Sequence, residues 1–103
     1  MPSTVRGTDN FDSAQVVGQN QTWQNVTASR AASTTYTNTT GRPIMVSIST
    51  NSGSGATSTL TVGGVVVCQG VNANTTQLTA IVPAGATYSH TNTYGFSIWA
   101  ELR

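Results

Sequence analysis

Lysine is missing from this 103-residue chain and acids are scarce: four arginines stand against only Asp9, Asp12 and Glu101. A formal net charge of +1 without clustered cations cannot neutralise a run of phosphates, which excludes nucleic acid as the expected partner. A catalytic site has almost nothing to draw on. A Ser-His-Asp triad would need the sole histidine, His90, with one of the three acids, and no spacing arranges them. A glycosidase pair of carboxylates would have to join Asp9 to Asp12, or one of these to Glu101. His, Cys and carboxylates do not fall at metal-ligand spacing, so His90 would ligate only with symmetry-related copies; a polar surface or interface histidine is the expectation. No enzymatic activity, no metal and no cofactor are expected.

Cysteine is also nearly absent. Cys68 stands alone, which rules out an intramolecular disulfide, and its neighbours Val65, Val66 and Val67 suggest a buried thiol. No apolar run approaches the roughly 18 residues of a membrane-spanning helix, and the stretch from Met1 to Gly7 lacks the apolar region of a signal peptide. A soluble chain without membrane insertion is expected. The length fits one domain with a modest core.

What is abundant is Thr, Ser, Asn, Gly and Val. β-branched residues sit well on a pleated, half-buried surface, and the good helix formers are scarce, so strand is expected almost throughout. Residues 1–21 read as an extended lead-in, with Phe11 and Val16-Val17 available to dock, and 22–103 as the folded domain. Trp23 to Thr27 and Thr34 to Asn38 read as the first two strands, joined by a loop carrying Arg30. After a turn at Asn38 to Pro43, Ile44, Val46 and Ile48 alternate with Met45, Ser47 and Ser49. Ala56, Ser58, Leu60 and Val62 alternate with Thr57, Thr59 and Thr61. Gly63-Gly64 is a two-residue connection of the primed hairpin kind leading into Val65 to Gln69. Gln77 to Val82, a Pro83-Ala84-Gly85 turn, Ala86 to Thr91 and a final strand complete an antiparallel β-sandwich of about eight short strands.

In the final strand, Phe96, Ile98, Ala100 and Leu102 alternate with Ser97, Trp99, Glu101 and Arg103. The first set is expected to face the core and the second outward. An outward Trp99 needs a cover, and with Met45, also outward, it is read as an interface with other copies of the chain rather than as a sugar platform. Tyr88 is expected to be packed. If consecutive strands run antiparallel, the short connections at Thr39 to Arg42, Gly63-Gly64 and Pro83 to Gly85 collect at one end. The longer polar loops collect at the other, offering Arg30, Asn51, Ser52, Ser54, Asn72, Asn74, Asn92 and Tyr94 to a ligand. Four Asn-x-Thr sequons, at Asn20, Asn25, Asn38 and Asn74, are what so much Asn and Thr produces by chance.

The order Trp23-Gln-Asn-Val-Thr-Ala-Ser-Arg30, Thr35-Tyr-Thr-Asn-Thr-Thr-Gly-Arg-Pro-Ile-Met-Val-Ser47, Val82-Pro-Ala-Gly-Ala-Thr-Tyr88 and Trp99-Ala-Glu-Leu-Arg103 resembles the C-terminal domain of tail-fibre proteins from tailed bacteriophages and prophages. The likeness runs from about residue 19 onward, and Gly7-Thr-Asp-Asn-Phe11 resembles the segment joining such domains to the fibre shaft. The resemblance implies a homotrimeric β-sandwich tip in the virion, made in the host cytoplasm, that recognises a bacterial surface glycan or protein. Its N-terminal end would meet other tail proteins, and no enzymatic activity is implied. The alternative is a trimerisation module, or a small virion decoration protein, with no receptor of its own.

Overall fold

The structure, a computed structural model, describes residues 16–51, 57–71 and 76–103. Among these described residues eight strands form: β1 (Trp23–Asn25), β2 (Thr35–Thr37), β3 (Ile44–Thr50), β4 (Thr57–Val62), β5 (Val65–Val71), β6 (Gln77–Val82), β7 (Thr87–Asn92) and β8 (Phe96–Leu102), with one 3₁₀ turn at Thr27–Ser29. They make two four-stranded sheets, sheet 1 in the order β1-β8-β3-β6 and sheet 2 in the order β2-β7-β4-β5. Every ladder is antiparallel. All connections but the β4–β5 hairpin pass from one sheet to the other, which is the strand order of a double-sheet jelly roll.

The period-2 patterns of the inner strands place the core. Ile44, Val46, Ile48 and Thr50 of β3 are buried, while Met45, Ser47 and Ser49 face out. Leu78 and Val82 of β6, Leu60 of β4 and Tyr88 of β7 close the core from the neighbouring strands and the opposite sheet. Between β4 and β5, Gly63 and Gly64 have φ of 58° and 83°. Two consecutive positive φ values define the primed turn whose twist suits a hairpin, and glycine adopts them without a Cβ clash.

The final strand departs from its sequence pattern. Ser49 lies opposite Ile98, but Thr50 lies opposite Phe96, so Ser97 is an extra residue, a β-bulge. The bulge reverses the phase of the strand. Phe96 faces in, and beyond Ser97 it is Trp99, opposite Ile48, and Glu101, opposite Val46, that share the core face. Ile98, expected in the core, is 51% exposed, and Ala100 and Leu102 stand on the outer face with it. Trp99, expected outside, is fully buried and central to the core: its ring meets those of Phe96, Tyr36 and His90 edge-on, with centroids 5.1, 5.9 and 5.9 Å away. Burying an indole of this size contributes about 5 kcal/mol of hydrophobic stabilisation. His90, expected at the surface, is buried in the same aromatic cluster.

Candidate functional site

Strand direction sorts the connections to two ends. At one, the base, Thr22 and Arg103 exchange backbone hydrogen bonds, Asn38 and Gly85 sit together, and Gly63 bonds to Thr87. Asn38 ties this end together. Its buried amide donates to the carbonyls of Arg42, Val82 and Pro83, at 2.7, 3.0 and 3.2 Å, and its Oδ1 accepts from the backbone N–H and hydroxyl of Thr40. The Asn38 sequon is thus internal scaffolding.

At the other, distal end, the Thr50 hydroxyl donates to the Thr76 carbonyl and accepts from the Thr76 N–H, both at 3.0 Å. Three of the expected ligand-binding residues meet there. Asn51 Nδ2 donates to the Tyr94 carbonyl at 2.8 Å and its backbone N–H to Gly95 at 3.0 Å. Asn92 Oδ1 accepts from the Tyr94 N–H at 2.5 Å while its Nδ2 donates to the Ser58 hydroxyl. The amides of Asn51 and Asn92 therefore brace this end, and among the described residues Tyr94, 47% exposed, is the large side chain presented there. Ser52, Ser54, Asn72 and Asn74 lie outside the described residues.

Arg30 does not join them. The chain leaves β1, makes its 3₁₀ turn beside β8, and brings Arg30 inward onto Glu101. The physical reason is the buried carboxylate: a charge removed from water must be paired and hydrogen-bonded. Arg30 grips it with two parallel bonds, Nε to Oε2 and Nη2 to Oε1, both 3.0 Å, with its guanidinium stacked 4.8 Å over the Tyr36 ring. Tyr88 OH and Trp99 Nε1 donate to Oε2 at 2.9 and 3.1 Å, and Arg103 Nη1 to Oε1 at 2.7 Å. Five donors thus converge on one side chain from β8, from β7 of the facing sheet and from the crossing loop. Burial pushes the Glu101 carboxyl up, but the hydrogen bonds from Arg30 and Tyr88 and the two arginine charges outweigh it and hold the group below the usual carboxylate range. Burial together with Glu101 raises the Tyr88 phenol. For Arg30, burial works downward and is overcome by Glu101, so the guanidinium is held more firmly protonated. A carboxylate so encumbered is a structural clasp between the sheets, with no lone pair open to a substrate proton.

Nothing in the local sequence singled out this clasp. The signal, visible only afterwards, is that the domain's one acid sits between Trp99 and Arg103 on a strand whose alternation places Trp99 and Glu101 on one face. Of the two residues expected at a subunit interface, Trp99 has no surface to offer, while Met45 does stand on the outer face of sheet 1. Cys68 is half-buried, its thiol donating to the Thr79 carbonyl at 3.1 Å. Among the described residues no three His, Cys, Asp or Glu side chains gather to hold a metal, and no helix is long and apolar enough to cross a membrane.

No family model, curated protein or solved structure matches this chain.

Proposed function

We infer that this chain is a non-enzymatic attachment module of the tail-fibre-tip kind, a homotrimer in the virion whose distal end meets the bacterial surface, with a glycan as the expected receptor. What carries the reading is the polarity of the sandwich. The chain comes into β1 at the base among short, internally bonded turns, and at the opposite end the described polar residues Asn51 and Asn92 hold Tyr94 with its ring exposed. The resemblance in the Thr-Gly-Arg-Pro-Ile-Met-Val run and the closing Trp-Ala-Glu-Leu-Arg supports the same assignment. Jelly rolls serve as viral and lectin domains, a likeness of architecture that raises the expectation without specifying a ligand. Contacts of neutral amides and hydroxyls with an aromatic face are individually weak, and three copies per fibre multiply them.

One observation favours a second reading, a trimerisation module without a receptor: the distal Asn51 and Asn92 amides are engaged internally rather than displayed. Labelling host cells with the fluorescent chain separates the two. An attachment module stains susceptible cells, and a Tyr94→Ala variant stains them less. A chain of three-copy mass that leaves every susceptible strain unstained is an assembly module.

A further inference from the structure

The two outer faces of the sandwich differ in kind. On sheet 2, β4 points Thr57, Thr59 and Thr61 outward and β7 points Thr87, Ser89 and Thr91, a polar exterior; among the described residues its apolar exposure is confined to the edge strand β5, where Val66 lies opposite Thr61 and Val65, Val66 and Val67 are 61%, 55% and 46% exposed beside the hairpin turn. On sheet 1 an apolar row crosses all four strands: Trp23 opposite Leu102, Leu102 opposite Met45, and Met45 opposite Ile81. Directly opposed residues share a face, and β8 extends the row with Ala100 and Ile98. Trp23, Ile81 and Ile98 are 52%, 51% and 51% exposed. No outward position of these four strands carries a charge; the rest are Asn25, Ser47, Ser49, Gln77, Thr79 and the bulge residue Ser97.

We propose that this outer face of sheet 1 is the surface by which copies of the chain hold one another. The inference rests on the trimeric reading above and replaces the buried Trp99 with Trp23, Leu102 and Ile81 beside Met45. Three features select another copy as the occupant. The face is neutral, so identical chains meet on it without opposing like charges. Half of one indole and two isoleucines, with the flanks of Leu102 and Met45, leaves roughly 400 Å² of apolar surface. That is close to the apolar share of the ~800 Å² which one side of a stable protein interface covers. The row also lies at the base, beside Thr22 and Arg103, where joined copies bring their incoming chains side by side and leave the hydroxyl-bearing strands β2, β4 and β7 of sheet 2 facing water.

The test is light-scattering mass for the full chain and for Met45→Arg, Ile81→Arg and, on sheet 2, Thr37→Arg, each checked for an intact near-ultraviolet signal from the buried aromatics. The expected result is a three-chain mass for the unaltered protein and Thr37→Arg, and a three-fold lower mass for the two sheet 1 variants with folding retained. If both sheet 1 variants keep the three-chain mass, this face is not the interface and the trimeric reading survives. If the unaltered chain has the mass of one copy, the trimeric reading fails and this proposal fails with it.

Discussion

Replacing Glu101 by glutamine changes one atom in the clasp and removes its charge. Two carboxylate oxygens accept from five donors in the folded chain. The amide retains one oxygen and turns an NH₂ toward groups that themselves donate, so at least two donors lose their acceptor. Each buried orphan costs about 1–3 kcal/mol, and an arginine left in the interior without its counter-charge brings the total to about 3–5 kcal/mol. A domain of this size has about 5–15 kcal/mol to lose, and each kcal/mol corresponds to about 4–8 °C. The expected outcome for Glu101→Gln is therefore a Tm lowered by about 15–30 °C at matched chain concentration, followed by the near-ultraviolet circular dichroism of Trp99 and Tyr88. Arg30→Ala should cost less in the Glu101→Gln background than alone, by about 1 kcal/mol or more, because the two residues share one interaction. A Tm within about 3 °C of the unaltered protein, or two strictly additive substitutions, would refute the argument that the clasp couples the sheets.

Acid should weaken the fold in two windows. Burial holds His90 below its ordinary value of 6.5, with the Thr59 carbonyl opposing, so the unfolded chain binds the proton more readily; stability is full above 6.5 and is lost as pH falls toward the folded value. Glu101 adds a second loss below its ordinary 4.5, as pH falls through its depressed folded value. Urea midpoints measured across pH should show both, and His90→Phe should flatten the first while leaving the second. Asn38→Ala should lower stability by about 1–3 kcal/mol, since it takes the acceptor from the Thr40 N–H and a donor from the Val82 carbonyl, while the Arg42 carbonyl keeps the Thr40 hydroxyl and the Pro83 carbonyl keeps the Ala86 N–H; a midpoint in urea unchanged from the unaltered chain would contradict that assignment.

Much of this architecture was legible wherever a pattern is local. Ile44 to Thr50 and Thr57 to Val62 show their buried faces by alternation alone, and two adjacent glycines mark the hairpin because few other residues accept positive φ twice in succession. The closing strand misled for a definite reason. Phe96, Ile98, Ala100 and Leu102 alternate as a core strand should, but Ser97 takes up one residue of phase, and a bulge is set by the pairing partner rather than by the strand's own sequence. Arg30 and Glu101 were illegible in a different way. They are 71 residues apart, and only the crossing between sheets brings them together, so a loop arginine and a strand acid each looked like ordinary surface charge. Tyr88 is readable as packed because its neighbours alternate with it; His90, two residues further along the same face, has a side chain whose polarity points to the surface while its position in the alternation puts it in the core.

The strands of both sheets run between the base and the distal end, and this gives the domain a mechanical character. A pull that enters at Thr22 and is resisted at the distal loops acts along the strands, so the β1–β8 and β8–β3 ladders are loaded lengthwise. Hydrogen bonds stretched that way resist together, whereas bonds peeled from an edge fail one at a time. β8 lies between β1 and β3, and Glu101 on it is clasped to Tyr88 across the sandwich. Tension in sheet 1 is thereby shared with sheet 2, and the domain resists traction as one laminate instead of delaminating along its core.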